Sequence, residues 1–131
     1  MTDAPIRQPH LLSAGSPPHL KGHQCPTCGR RFFPPDPFAC EGCGTEAHEL
    51  TEIELASTGT IRAAARVHRH HYPNPETPFT VATIELDDGP VLKSVVLDAT
   101  DSDVGRRVVG VLVESAVDPD TLDLRFRLEA Q

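Results

Sequence analysis

Large apolar residues are scarce in this chain, which limits the core that it can build. Its 131 residues contain no Trp, one Tyr, one Met and five Phe, and hydrophobic residues make up 38 %. A chain of this length forms one domain, or one domain with a small module, and a modest core gains stability from a metal ion or a partner.

Long apolar runs are absent as well. No stretch of about 18 apolar residues occurs, so the sequence predicts no membrane-spanning helix. The N-terminal sequence "MTDAPIRQPHLL" lacks the long apolar stretch of a secretory signal. We therefore expect a cytoplasmic protein, in which disulfides rarely persist.

Basic residues are few in the second half of the chain. Residues 72–131 hold twelve acids against five Lys or Arg, whereas residues 1–71 hold seven of each, and the net charge is −7. An acidic surface repels phosphates, so the composition argues against general binding of nucleic acid.

Four cysteines form the most specific motif. Cys25, Cys28, Cys40 and Cys43 have the spacing C-x2-C-x11-C-x2-C, and each pair is followed by Gly, as "CPTCG" and "CEGCG". A two-residue spacer lets both sulfurs of a pair reach one ion, and the glycine permits a tight turn. The motif predicts a four-thiolate site for structural zinc, with iron as the alternative. Two matched pairs and the expected compartment argue against disulfides or a redox pair.

Signatures of common catalytic sites are missing. The chain has no G-x-S-x-G, no P-loop, no H-E-x-x-H and no glycine-rich dinucleotide motif. A four-thiolate site is closed, so it leaves no position for an activated water, and it uses every cysteine. We expect no catalytic residue and no enzyme activity of the chain on its own.

Strand-like alternation fills the second half. Five runs between Gly59 and Ala130 read as strands: "GTIRAAARVHRHHY", "PFTVATIEL", "VLKSVVL", "RRVVGVLVESA" and "LDLRFRLEA". "DDG" at residues 87–89 predicts a hairpin turn, Gly110 a bulge or bend, and "DATDSDVG" a single helical turn. A barrel removes most exposed strand edges, and the five-stranded OB-fold is a common solution.

These segments predict a mainly β fold. We assign residues 1–23 to an irregular N-terminal arm, residues 24–48 to a rubredoxin-like four-cysteine zinc ribbon, and residues 49–131 to an OB-fold barrel. The ribbon is expected to precede the barrel directly.

The first predicted strand carries an unusual set of cations. Strict alternation places Ile61, Ala63, Ala65 and Val67 on one face, and it places Arg62, Arg66, His68 and His70 on the other. A positive stripe on an acidic protein suits an anion bearing phosphates, although a solvated strand face has the same pattern. The histidines of "HRHH" are also compatible with metal, but no acidic residue is close by in sequence.

A ribbon joined to a five-stranded barrel resembles the bacterial and archaeal zinc-ribbon/OB-fold proteins described as acyl-CoA-associated, formerly a domain-of-unknown-function family. The resemblance covers about residues 20–128. It rests on "C-P-x-C-G-R-x-F-F-P-P" at residues 25–35, "C-x-G-C-G" at 40–44, "G-T-I" at 59–61, "V-H" at 67–68, "P-F-T-V-A-T-I-E-L-D-D-G" at 78–89 and "V-G-R-R-V" at 104–108.

This resemblance implies an accessory subunit. Such proteins look like partners of thiolase-superfamily enzymes, namely thiolases, hydroxymethylglutaryl-CoA synthases and thiolase-type aldolases. The partner carries the nucleophile and the base, while the ribbon–barrel subunit stabilises it and can help to shape the CoA channel. Arg62, Arg66, His68 and His70 are then candidates for contact with CoA phosphates. Degradation of sterol side chains or of aromatic acids is among the pathways that fit.

The loop between the cysteine pairs holds three of the five phenylalanines. Because the metal fixes both ends of "RRFFPPDPF", the loop loses little further entropy on docking. Phe32, Phe33 and Phe38 are therefore candidates for a partner interface, where aromatic residues are enriched. The alternative is that they form the small core of the ribbon. We expect a division, with at least one Phe inward and at least one facing a partner or the barrel.

Two other functions remain open at this point. OB barrels often bind single-stranded nucleic acid, but the charge of −7 and the lack of Trp disfavour that function here. A stand-alone CoA-thioester hydrolase would require turnover by the purified chain alone.

Overall fold

The chain forms a four-stranded ribbon sheet followed by a closed five-stranded barrel. The computed structural model describes residues 4–34, 39–69, 71 and 76–130. The ribbon sheet contains β1 (Leu12–Ser13), β2 (His19–Gln24), β3 (Arg31–Phe32) and β4 (Thr51–Ala56), and a 3₁₀ turn at Ala47–Glu49 precedes β4. The barrel contains β5 (Thr58–Val67), β6 (Phe79–Leu86), β7 (Val91–Val96), β8 (Arg107–Glu114) and β9 (Leu122–Leu128). The predicted fold class is confirmed. Within the described residues, no helix has the length and apolarity that a bilayer crossing requires.

Strand β2 is the centre of the ribbon sheet. It pairs with β1 and β3 along one edge and with β4 along the other, antiparallel from His19↔Ala56 to Gln24↔Thr51. The prediction of an irregular arm is therefore wrong for residues 12–13 and 19–23, which lie in β1 and β2. Leu20 is fully buried, so one apolar residue and the ladder to β4 together hold this otherwise polar segment in the sheet.

The barrel strands follow the order β5-β6-β7-β9-β8, and β8 closes the barrel onto β5. Neighbours are antiparallel except for β7 and β9, which pair in parallel at a single position, Val96↔Phe126. The turn between β6 and β7 is the predicted Asp-Asp-Gly hairpin. Its Gly89 has φ +116°, a value that favours glycine.

A β-bulge interrupts strand β5 at Arg62. Ile61 pairs with Ile84 on β6, but the next pair is Ala63↔Thr83, so one residue is inserted. The insertion shifts the alternation: Ile61, Ala64 and Arg66 lie opposite the buried residues of β6, and Ala63 and Ala65 are exposed. The predicted faces of this strand are therefore wrong beyond Ile61.

Two smaller predictions are also wrong. Strand β8 keeps an unbroken register with β9 through Gly110, so no bulge lies there. A Cβ at Gly110 would lie 2.7 Å from the Cβ of Ser57, so the glycine leaves room for the Ser57 side chain instead. Residues 98–105 form turns rather than a helical turn, with Asp103 N–H donating to the Thr100 carbonyl at 3.1 Å.

One hydrophobic core is shared by the barrel and by the end of the ribbon sheet that lies away from the cysteines. Ile61, Ile84 and Phe126 of the barrel share this core with Leu20 of β2 and Leu55 of β4. A second, smaller cluster lies at the cysteine end of the ribbon and contains Cys25, Cys40 and Leu50, with Phe32 and Ala47 packed against it.

Candidate metal centre

Two turns with matching backbone bonds present the four cysteines. In the first turn, Cys25 N–H donates to the Arg30 carbonyl at 2.8 Å, and Gly29 N–H donates to the Cys25 carbonyl at 2.9 Å. In the second turn, Cys40 N–H donates to the Thr45 carbonyl and Gly44 N–H to the Cys40 carbonyl, at the same two distances. Gly29 and Gly44 have φ of +80° and +81°. The glycine after each cysteine pair therefore adopts the left-handed backbone conformation that a tight turn needs, as the sequence predicts.

The four sulfurs converge on one point. All four Sγ atoms lie within 4.8 Å of one another. Cys25 Sγ is 3.5 Å from Cys43 Sγ, and Cys28 Sγ is 3.6 Å from Cys40 Sγ. A tetrahedral ion with sulfur at about 2.3 Å requires separations of about 3.8 Å between sulfurs. The arrangement therefore fits a single tetrahedral metal ion, and Cys25 and Cys40 are buried while Cys28 and Cys43 lie on the outer side.

Threonine hydroxyls join the two turns beside the sulfurs. Thr45 Oγ1 lies 3.2 Å from Cys43 Sγ and donates to Thr27 Oγ1 at 3.0 Å. Hydrogen bonds from the Thr45 side chain and then the Cys28 backbone lower the pKa of Cys25 to about 6. At Cys28 the Arg30 backbone lowers the pKa, but the Cys40 sulfur, burial and the other sulfurs outweigh it and raise the pKa to about 11. A cation among the sulfurs favours the thiolate form of all four.

The two described phenylalanines of the loop pack against different clusters. Phe32 packs against the cysteine cluster and stands edge-on to the His23 ring, with ring centroids 6.0 Å apart. Phe33 packs against the core that the barrel shares with β1, β2 and β4. Phe38 lies outside the described residues, and a role of any of the three in a partner interface stays a prediction.

The predicted cation stripe does not form on one face. Arg62 projects outward at the bulge and donates to Glu85 at 2.5 Å. Arg66 points to the other side, where it donates to Thr80 Oγ1 at 2.8 Å and to the Ala99 carbonyl at 3.2 Å. His68 is exposed at the end of β5, and His70 lies outside the described residues. Contact of these residues with CoA stays a prediction, but a single face cannot carry Arg62 and Arg66 together.

Sequence reasoning missed the residues that surround the cysteines. Thr27 and Thr45 link the two turns, and Leu50 buries their inner side. Thr27 lies between the first two cysteines and Thr45 directly follows the second glycine, so a hydroxyl beside a thiolate motif is the signal that could have found them.

Comparison with known proteins supports this arrangement. A family model described as "ChsH2, rubredoxin-like zinc ribbon domain" matches residues 12–49. The DUF35 domain-containing scaffold protein of Methanocaldococcus jannaschii is 29 % identical over 97 residues, which are 73 % of this chain and 65 % of that relative. The chain thus spans slightly less than two thirds of that relative's length. Residues 12–49 thus match a rubredoxin-like zinc ribbon, and the chain as a whole is similar to DUF35 proteins.

Solved structures of DUF35 proteins share the fold. A chain of the structure named "Ltp2-ChsH2(DUF35) aldolase" matches with a TM-score of 0.69 and 28 % identity, over 84 % of both chains. A DUF35 protein of unknown function from Sulfolobus solfataricus matches with a TM-score of 0.56 and 18 % identity, over 85 % of this chain and 76 % of that one. The chain therefore shares its ribbon-and-barrel fold with these structures. The match to the zinc-ribbon model begins at β1, before the predicted ribbon boundary at residue 24.

Proposed function

We propose that this chain is a non-catalytic accessory subunit, of the DUF35 kind, of a thiolase-like enzyme that acts on acyl-CoA. The observation that carries the proposal is the match, over 84 % of both chains, to a chain of a structure named for an aldolase and ChsH2(DUF35). The name of the archaeal relative, a scaffold protein, agrees with a supporting role. The closed donor set of four sulfurs suits structure rather than chemistry.

Zinc is the metal that we propose for the four-cysteine site. Cys25, Cys28, Cys40 and Cys43 would hold the ion, which would supply folding free energy and no reaction step. Metal analysis of the purified chain should give one zinc per chain. One iron per chain, with the colour of an iron–thiolate site, would overturn the assignment to zinc.

Co-purification at native abundance is the test of the proposed function. The tagged chain should co-purify with a thiolase-superfamily enzyme from the cytoplasmic fraction. The two proteins should be present in a fixed ratio, and mass spectrometry should identify the enzyme. A partner of another class, or turnover of acyl-CoA by the purified chain alone, would contradict the proposal. Salt-sensitive retention on single-stranded DNA would favour the nucleic-acid function instead.

The loop phenylalanines give this test a matched pair of variants. We propose Phe38 as the interface residue, because Phe32 packs against the cysteine cluster and Phe33 against the shared core. Phe38→Ser should release the partner while the metal stays bound. Phe32→Ser should loosen the metal site first, so zinc content separates a lost interface from a damaged ribbon.

We also propose that Arg66 and His68 contribute to binding of CoA in the complex. Arg66 has no ion pair within the described part of the chain, whereas Arg62 is paired with Glu85. Titration of the complex with CoA should give weaker binding for Arg66→Gln and nearly unchanged binding for Arg62→Gln. Equal effects of the two variants would contradict this contribution.

A further inference from the structure

Strands β7 and β9 diverge from their single point of contact. They pair at Val96↔Phe126, and Leu97 N–H donates to the Phe126 carbonyl at 2.8 Å. Before this point, no residue of β7 pairs with β9 within the described chain. The barrel therefore closes at one end of this seam and stays open at the other.

The open side of β7 is an unpaired strand edge. On its other side, β7 pairs with β6 along the register from Glu85↔Val91 to Thr80↔Val96. Leu86 N–H donates to the Pro90 carbonyl at 2.9 Å, and hydrogen-bonded residues alternate along an antiparallel ladder. The backbone groups of Leu92 and Ser94 consequently face β6, and those of Val91 and Lys93 face the gap.

The N-terminal segment already pairs with the start of β9, at Leu122. Leu122 N–H donates to the Pro5 carbonyl at 2.9 Å, and Arg7 N–H donates to the Leu122 carbonyl at 3.0 Å. The Arg7 guanidinium also pairs with the buried Asp123 at 2.8 Å. No described residue pairs in this way with the edge of β7 from Val91 to Lys93.

A cavity of about 370 Å³ lies beside this edge. Its apolar lining comes from the N-terminal segment, the ribbon loop and the barrel, and includes Leu11, Leu12, Phe33, Leu92 and Leu124. An added strand projects alternate side chains to one face, so the cavity can take its apolar residues.

Two cations without acidic partners flank the same cavity. Lys93 on β7 and Arg125 on β9 form no ion pair with any described residue, and the Arg125 guanidinium donates to the Leu124 carbonyl at 2.8 Å. Six other arginines do pair with carboxylates: Arg7, Arg30, Arg31, Arg62, Arg106 and Arg107. The chain has a net charge of −7, so two unpaired cations at a free strand edge form a local positive site. Such a site complements an acidic segment of another molecule.

We propose that an extended, acidic segment of the partner enzyme adds a strand to the free edge of β7. Its backbone pairs with Val91 and Lys93, its carboxylates meet Lys93 and Arg125, and its apolar side chains enter the cavity. Main-chain bonds supply affinity in such strand addition, and pockets for alternate side chains supply specificity. This inference rests on the proposed function for the identity of the partner.

Zero-length cross-linking of the purified complex tests the acidic contact. The chain has only two lysines: Lys93 lines the cavity, and Lys21 does not line it and donates through its amine to the Pro9 carbonyl. A carbodiimide should join the Lys93 amine to an Asp or Glu of the partner and leave Lys21 unlinked. Links from Lys21 alone would overturn the inference.

Residue-resolved hydrogen exchange tests the added strand. On formation of the complex, exchange should slow at the amides of Val91 and Lys93, whereas Leu92 and Ser94, already bonded to β6, should change little. Lys93→Glu should weaken the complex about tenfold, and Arg69→Glu, an equal charge change on the exposed Arg69 beyond β5, should not. A stable complex without the alternating protection overturns the inference and leaves the proposed function intact.

Two further outcomes are decisive. Concentration-dependent protection of Val91 and Lys93 in the isolated chain would assign the edge to a second copy of this chain and overturn the inference. If no thiolase-like partner is found, the proposed function fails. The acidic strand is then tested on the isolated chain, with an acetylated peptide of alternating valine and glutamate as the probe. Protection of Val91 and Lys93 by that peptide, lost in Lys93→Glu, supports an acidic strand, and no protection at millimolar peptide overturns it.

Discussion

At the scale of single residues, the turn glycines set the geometry of the metal site. Gly44 has φ +81°, and nothing lies within 4 Å of the position that a Cβ would take. Gly44→Ala should therefore lower the free energy of unfolding of the zinc-loaded chain by about 1–2 kcal/mol through backbone strain alone. Urea denaturation with bound zinc measures the change.

Gly42 is the matched control for this substitution. It lies in the same turn but without a positive φ, and a Cβ there would meet Arg30 Cδ at an ordinary 3.5 Å. Gly42→Ala should be neutral or should stabilise by up to about 1 kcal/mol, since alanine restricts the unfolded chain. Equal losses in the two variants would contradict the strain argument.

Asp87 links stability to pH. Hydrogen bonds from Arg107, opposed by burial and aided by Thr58, lower the pKa of Asp87 from 3.8 to about 2. Because the folded pKa lies below the unfolded pKa, the stabilisation is complete above pH 3.8 and disappears as the pH falls towards 2. The side chain is 42 % exposed, so solvent screening limits the effect to about 0.5 kcal/mol.

Asp87→Asn provides the comparison. The variant should be less stable than the natural chain at pH 6, and the difference should vanish near pH 2. Urea denaturation of both proteins in chelator keeps metal loss out of the comparison. A difference that stays constant across this range would show that the carboxylate charge is not responsible.

The cysteine spacing predicted the ligands because a two-residue spacer leaves few geometries for two sulfurs and one ion. The hydroxyl of Thr45 was not predictable in the same way. Its contact with Cys43 and Thr27 depends on how the two turns meet in space, and Thr45 lies 18 residues from Thr27 along the chain.

At the scale of elements, two adjacent phenylalanines pack against different hydrophobic clusters. Phe32 on β3 packs against Cys25, Cys40 and Leu50, whereas Phe33 packs against the shared core. Phe32→Ala should therefore weaken zinc retention against a competing chelator, and Phe33→Ala should retain zinc but lower the unfolding free energy. We expect a loss of about 2–3 kcal/mol for Phe33→Ala, because the side chain is only partly buried.

Competition with a chromophoric chelator and urea denaturation distinguish the two effects. Zinc loss at the same chelator concentration in both variants would contradict the division. It would mean that the ribbon loop is one cooperative unit from Phe32 to Phe33.

Strands with regular alternation were predictable, and strands that depend on distant pairing were not. Strand β9 alternates Leu122, Leu124, Phe126 and Leu128, and it was predicted from that pattern alone. Strand β2 reads "HLKGHQ", in which Leu20 is the only large apolar residue, and it becomes a strand because β4, about 30 residues later, supplies its ladder. The bulge at Arg62 carries no Gly or Pro signal, so strict alternation misassigned the residues after it.

At the scale of the whole molecule, the two hydrophobic clusters predict how the chain responds to metal removal. The cysteine cluster has few apolar residues, and a metal contributes free energy on the order of 10 kcal/mol in comparable ribbons. The shared core includes Leu20 and Leu55 together with the barrel. Chelation should therefore unfold residues 25–50 while β2, β4 and the barrel stay folded.

Nitrogen-15 correlation spectra of the isolated chain measure this response. In chelator, the amide signals of residues 25–50 should move to the narrow range of an unfolded chain, whereas those of the barrel should keep their positions. Added zinc should restore the whole spectrum. Collapse of all signals together would mean that the ribbon and the barrel unfold as a single cooperative unit.

The extra residue at Arg62 lets strand β5 accommodate a change of length at one point. Deleting Arg62 would remove the bulge and restore a strict two-residue repeat, and Ala64 and Arg66 would still lie opposite the buried residues of β6. Deleting one residue from β6, which pairs with β7 without a bulge, would instead turn the side chains that follow to the other face. Among related chains, we therefore expect a one-residue gap to be tolerated at position 62 and excluded within residues 79–86.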